Sequence, residues 1–185
     1  MITIHRVLTR LDEEAFAVFQ HDDGLEKLSS LLSSPEITAK HASCPVSIVT
    51  ESEGGELLRG VDLMGLTCDS FVSRKSVLEK YTKLLKSEGV WIPSDEVSDY
   101  CIFLARTRIP IIDEAESDIA YFSSSGNVMD ISRYSFKYSP MLEDTLLFRS
   151  VIAPYRELLC TGEFIDIYES LNGSGLGFKQ LGLLE

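Results

Sequence analysis

Apolar and polar residues alternate at the start of the chain. "ITIHRVL", residues 2–8, predicts a first β-strand, and "CPVSIVTES" predicts another around Val46 to Val49. Between them the period changes. Leu25, Leu28, Leu31 and Leu32 in "LEKLSSLLSS" recur at helical spacing and predict a short amphipathic helix packed across those strands. The charged run "TESEGGELLRG" with its paired glycines predicts an exposed hairpin or loop, separating an N-terminal lobe, 1–60, from the remainder.

The pattern sharpens from residue 66. "DSFVSRKSVLEKYTKLLKSEGVWIPS" predicts a short apolar strand and then a helix with Ser73 as N-cap, whose hydroxyl is placed to accept a first-turn amide. Val77, Leu78, Tyr81, Leu84 and Leu85 fall on one face, Gly89 is expected to end the helix in the left-handed conformation, and Val90 to Ile92 begin the next strand. Residues 158–181, "LLCTGEFIDIYESLNGSGLGFKQL", repeat this scheme, with Phe164 on Val77, Ile165 on Leu78, Tyr168 on Tyr81 and Leu171 on Leu84. One strand, helix, strand hook is thus used twice. In the second copy Asn172 and Gly173 stand where the helix must end, and Gly175 and Gly177 flank the turn into the last strand. A phosphate-binding glycine loop has the opposite order, following a strand and opening a helix, so these glycines predict a turn and not a nucleotide site.

Between the hooks, Tyr100–Ala105 and Ser132–Tyr138 read as strands. The first is almost continuously apolar and therefore predicted to be central in a sheet. Gly126 and Asn127, after three serines, predict the turn before Val128. The expected class is α+β: a mixed sheet with short amphipathic helices in one domain, 1–185, with the hooks in its C-terminal two thirds.

Composition narrows the function. Seventeen Lys and Arg against 29 Asp and Glu give a formal charge of −12, a sign that repels phosphate backbones and argues against direct nucleic-acid binding. "MITIHRVLTRLDEEAF" lacks the apolar core of a secretory signal, and no apolar window is long enough to span a bilayer, so the expected location is cytoplasmic, with no membrane partner. Cys44, Cys68, Cys101 and Cys160 show no paired spacing and are expected to be reduced, buried thiols. His5, His21 and His41 include no pair four residues apart, and His41 with Cys44 forms a nucleophile and base only if the fold joins them. No G-x-S-x-G elbow is present. No cofactor, metal site or catalytic residue is therefore expected. Carboxylates are the abundant chemistry, in Asp95, Glu96 and Asp99 and again in Asp113, Glu114, Glu116 and Asp118. Either group is a solvated loop, an acidic docking surface or, if the acids converge on a cleft, an acid and base pair. As a docking surface it would speed encounter with a basic partner.

Two stretches resemble the bacterial immunity proteins of polymorphic toxin systems, in particular the large immunity family number eleven. "IPIIDEAESDIAYFSSSGNVMDISRYSFK" is similar to that family's central segment, with Asp113 and Ser117 matching an aspartate turn closed by a serine. "TLLFRSVIAPYRELLCTGEFIDIYESLNGSGLGFKQL" is similar to its C-terminal segment, the match being carried by Phe148, Arg149, Gly175 and Phe178. The likeness spans residues 66–182; Cys160 and Thr161 depart from it, standing where the family prefers a serine with a charged follower. The resemblance implies a non-enzymatic protein that neutralises a cognate toxin by binding it, and it carries over no catalytic residue. The expected toxin-binding residues are Asp95, Glu96, Asp99, Asp113, Glu114, Glu116 and Asp118. The other readings of the sequence are a protein-binding adaptor or regulatory module and an enzyme that uses a carboxylate pair.

Overall fold

A computed structural model describes residues 1–9, 16–19, 23–24, 26, 28, 48–51, 62–67, 70–93, 100–154 and 156–184. In chain order the strands are β1 (Ile2–Thr9), β2 (Phe16–Phe19), β3 (Ile48–Glu51), β4 (Leu63–Thr67), β5 (Ser70–Arg74), β6 (Gly89–Pro93), β7 (Tyr100–Ala105), β8 (Arg108–Ile109), β9 (Asp118–Tyr121), β10 (Val128–Arg133), β11 (Leu147–Ser150), β12 (Leu159–Thr161) and β13 (Leu176–Leu184). Helix α1 (Lys75–Thr82) joins β5 to β6, and α2 (Gly162–Ser170) joins β12 to β13. The fold is α+β, and both predicted hooks are present. Of the helix expected around Leu28, Glu26 and Leu28 are helical, with Leu28 buried, while Leu25, Leu31 and Leu32 lie outside the described residues.

Two sheets carry most of the structure. One has the order β13-β1-β12-β11-β8, antiparallel except where β11 meets β8; the other has the order β4-β5-β7-β6 and is antiparallel throughout. The first strand of the chain thus lies between the last two. Period-2 alternation divides the five-stranded sheet between two interiors. Leu147 and Cys160 face a cluster shared with Leu63, Phe71, Tyr81 and Phe103 of the other sheet and its helix, whereas their neighbours Phe148 and Leu159 face a second cluster with Ile4, Ile109, Ile112 and Ile131.

β7, "YCIFLA", is buried along its whole length between β5 and β6, as its continuous apolar run predicts. Phe103 at its centre is in register with Phe71 on one side and Trp91 on the other. The three rings form a row across the sheet, with Phe71 stacked on Phe103 at 4.9 Å and Trp91 tilted against Phe103 at 5.1 Å. The hooks meet beneath this row, where Tyr81 and Tyr168, the pair aligned in sequence, lie 6.2 Å apart between ring centres.

Local details differ from the sequence reading at three places. Ser73 is not a helix cap. It belongs to β5, its hydroxyl donates to the Asp62 carbonyl at 3.1 Å, and α1 begins after Arg74 without a side-chain cap. Gly89 starts β6 without adopting a left-handed conformation, and the helix has already ended at Thr82. Glycine is needed there for close approach, since a Cβ would lie 2.3 Å from the Leu104 carbonyl oxygen and 2.6 Å from the Phe103 ring. The strand expected at Ser132–Tyr138 is observed at Val128–Arg133, with only an isolated bridge between Ile112 and Phe136 beyond it. In the second hook Asn172, at φ 52°, takes the left-handed position, and the amides of Asn172 and Gly173 donate to the Glu169 and Tyr168 carbonyls. This pair of hydrogen bonds closes the helix end, so the glycine-rich run is the predicted turn.

Glu88 joins the two sheets. Its backbone carbonyl accepts the amides of Arg106 and Thr107 at 2.8 and 3.3 Å, and its carboxylate accepts the Leu146 amide at 3.2 Å and the Ser87 hydroxyl at 3.3 Å. The residue is buried, and burial pushes its carboxyl pKa above the ordinary value of 4.5 despite those donors. Among the described residues no helix is long and apolar enough to cross a membrane.

Two measurements check this arrangement. Gly89→Ala is expected to destabilise the chain by about 1–3 kcal/mol in urea unfolding followed by Trp91 fluorescence, while the exposed Ser123→Ala stays within about 0.5 kcal/mol of wild type. Because folding raises the Glu88 pKa, its contribution is complete below pH 4.5 and is lost as the pH rises through the folded value. Glu88→Gln keeps an acceptor for the Leu146 amide, so it should be more stable than wild type at neutral pH, with the gap closing as the pH falls below 4.5; a constant gap would contradict the assignment.

Candidate functional site

The second acidic group lies on a turn that the chain fixes with its own backbone. The Asp113 amide donates to the Ser135 carbonyl at 2.9 Å, the Ser117 amide donates to the Asp113 carbonyl at 2.9 Å, and Asp113 Oδ1 accepts the Ala115 amide at 3.1 Å. Ser117 completes the closure: its hydroxyl donates to the Ser135 carbonyl at 3.2 Å and accepts the Ser135 amide at 2.9 Å. Asp113 and Ser117 therefore form the turn, because a short polar side chain satisfies amides that a tight loop leaves unpaired.

The remaining acids diverge. Glu114 and Glu116 are exposed, and Glu114 accepts the Tyr121 hydroxyl at 3.4 Å. Asp118 is paired in fork geometry with Arg133, at 2.9 and 3.1 Å, and this hydrogen bonding and charge hold its carboxyl below the ordinary carboxylate range. The structure thus brings Asp113, Glu114, Glu116 and Asp118 onto one turn but leaves Glu114 and Glu116 as its outward carboxylates. Asp95, Glu96 and Asp99 lie outside the described residues.

Directly after this turn comes the β9–β10 hairpin. At its tip the Phe122 amide donates to the Asn127 carbonyl, the Gly126 amide donates to the Phe122 carbonyl, and Gly126 takes φ 69°, so the turn predicted from Gly126 and Asn127 is present. Ile119, Val128 and Ile131 point into the second apolar cluster, fastening one face of the hairpin to the five-stranded sheet. Farther out, Tyr121, Phe122 and Met129 are 47%, 49% and 44% exposed.

Two polar clasps secure the hairpin. Arg156 donates to the Met129 carbonyl and to the Asp130 carboxylate. Just beyond β10, the Tyr134 hydroxyl donates to the buried Glu157 carboxylate at 2.8 Å, while Arg6 of β1 donates to Glu157 at 2.7 Å and to the Tyr134 oxygen at 2.6 Å. Burial and the adjacent Glu157 carboxylate push Tyr134 ionisation well above its ordinary value, so the phenol keeps its proton and remains a donor. The Arg6 guanidinium also lies 5.7 Å from the centre of the Tyr134 ring.

The sequence reading missed Tyr121, Phe122 and Met129. One signal for them was available: two adjacent aromatics ending a strand just before "SSSGN" cannot both turn inward. The Arg6, Tyr134 and Glu157 cluster had none, because its members are 151 and 128 residues apart.

Other candidate chemistry stays dispersed. Cys101 and Cys160 are buried thiols, both made less acidic by burial, and burial lowers the His5 pKa. His21, His41, Cys44 and Cys68 lie outside the described residues. Among the described residues, no three His, Cys, Asp or Glu side chains are placed to hold a metal ion together. Neither models of known protein families nor curated proteins match this chain.

Tyr134→Phe is expected to cost about 1.5–3 kcal/mol, the range for a hydrogen bond to a charged group. Glu157→Ala should cost more, since it leaves both Arg6 and Tyr134 without their shared acceptor, and the double variant should fall short of additivity in urea unfolding. Additive losses would show that the three side chains do not act as one network.

Proposed function

We propose that this chain is a bacterial immunity protein, acting in the cytoplasm, that binds a cognate toxin domain and occludes it without catalysis. The observation that carries the reading is the rigid turn at Asp113–Ser117, which holds Glu114 and Glu116 outward on a chain of net charge −12. The form of that turn, an aspartate closed by a serine, is also one of the features that carry the sequence resemblance to immunity proteins, beside Phe148, Arg149, Gly175 and Phe178.

The physical mechanism is capture followed by steric exclusion. Surface carboxylates attract a basic protein over roughly 8–10 Å at physiological salt, raising the frequency of productive encounters. Because the turn is held by its own hydrogen bonds, its backbone needs little ordering on contact, and less binding energy is lost to conformational entropy. An interface of ordinary size buries roughly 1,200–2,000 Å² in total, enough to cover the active cleft of a small toxin domain. An adaptor would use the same kind of surface but would not rescue a poisoned cell.

The test is co-expression with the C-terminal domain of the protein encoded immediately upstream of this chain, which the immunity reading requires to be a toxin. Wild type should restore growth, and purified protein should bind that domain. Reversing charge with Glu114→Lys and Glu116→Lys should slow association about tenfold and flatten its dependence on salt, with dissociation little changed. Growth that stays arrested would remove the immunity reading; protection with unchanged association kinetics would remove this turn from it.

A further inference from the structure

We infer that the distal end of the β9–β10 hairpin is the docking element of this chain, with Tyr121, Phe122 and Met129 as its anchors, and that its occupant is a folded protein whose apolar hollow is rimmed by cationic side chains. Only the class of partner rests on the immunity reading. The docking surface itself is argued from exposure, rigidity and charge.

Three of the nine exposed large apolar side chains among the described residues sit within this one hairpin. Two are aromatic and one is methionine, the types enriched where a few side chains dominate binding, because they present large area with few rotatable bonds or adapt to an irregular hollow. Exposing them costs free energy that a solitary chain recovers nowhere, whereas insertion into a partner removes them from water. The hairpin is also prepared for that role. Its tip is closed by backbone hydrogen bonds and its inner face, Ile119, Val128 and Ile131, is packed on the second apolar cluster, so the anchors project from a fixed frame.

Charge selects the occupant. Beside the anchors, Glu114 of the adjoining turn accepts the Tyr121 hydroxyl and Asp130, next to Met129, is engaged with Arg156, while at the other end of β9 Asp118 is engaged with Arg133. The excess is negative. A nucleic acid or an anionic lipid surface meets repulsion there, while Lys or Arg around an apolar hollow meets an acceptor rim. The Tyr121 hydroxyl, reaching Glu114 at 3.4 Å, links the apolar tip to that rim.

A defined probe tests this without the natural partner. The isotope-labelled full chain is titrated with a synthetic amphipathic peptide of lysine and leucine at physiological salt, and backbone shifts are followed. The largest changes should fall on Tyr121, Phe122 and Met129, and Phe122→Ser with Met129→Ser should weaken binding at least about tenfold while leaving the urea midpoint in place. Shifts centred elsewhere on wild type, or equal peptide affinity in the double variant, would overturn the proposal. The wild-type map decides the matter even if the double variant does not fold. Cells protected equally by wild type and the folded double variant would remove the hairpin and leave the immunity reading standing; peptide captured at the hairpin by a chain that protects no cell would do the reverse.

Discussion

The two sheets share one interior, and that dependence governs the rest of the molecule. Leu63, Phe71, Tyr81 and Phe103 come from the four-stranded sheet and its helix, while Leu147, Cys160, Phe164 and Leu176 come from the five-stranded sheet and the second hook. Neither set is enclosed without the other. Each large side chain withdrawn from water contributes about 1.5–3 kcal/mol, so the gain is available only when both hooks are docked. Tyr81 and Tyr168 mark the centre of that contact, and both phenols are satisfied: the Tyr81 hydroxyl donates to Asp62, and the Tyr168 oxygen accepts the Leu176 amide. Asp62 completes the tie by accepting Lys80 at 2.9 Å and donating its amide to the Ser174 hydroxyl at 3.0 Å, which binds the first hook to the turn of the second.

The rigidity of this centre reaches the hairpin through the five-stranded sheet. Phe148 and Leu159 lie on the face opposite Leu147 and Cys160, so the same strands that close the shared interior also floor the cluster beneath Ile119, Val128 and Ile131. Arg6 on β1 and Glu157 just before β12 then grip Tyr134 at the base of the hairpin. A two-stranded ribbon is marginal in water by itself. Here it gains a floor, two polar clasps and a closed tip. That combination suits recognition of a macromolecule, where a frame fixed before contact loses less freedom on binding.

The sequence was legible wherever a local pattern determines the structure. The alternation in β1, the continuous apolar run of β7, the Gly126 turn and the two hooks follow from near neighbours along the chain. Boundaries failed where distant partners decide. Ser73 is drawn into β5 by the Asp62 carbonyl and by pairing with Cys101. Gly89 is kept in β6 by the aromatic ring and carbonyl pressed against it. Glu88, one of many acids in an acidic chain, looks like a solvated helix charge until β7, β8 and β11 close around it. At the candidate site the acids of the turn were visible, but their division of labour was not. Arg133 had to come back across the hairpin before Asp118 could be distinguished from Glu114 and Glu116.

Native-state amide hydrogen exchange of the free chain tests most directly whether the hairpin is a frame fixed in advance. The Ile119 amide, in the ribbon, and the Phe103 amide, in the middle of the core sheet, should both be protected, with opening free energies of similar size. Exchange at Ile119 at nearly the rate of an unstructured peptide, with Phe103 still protected, would mean that the ribbon forms only on contact, and the account of a preorganised binding surface would be wrong.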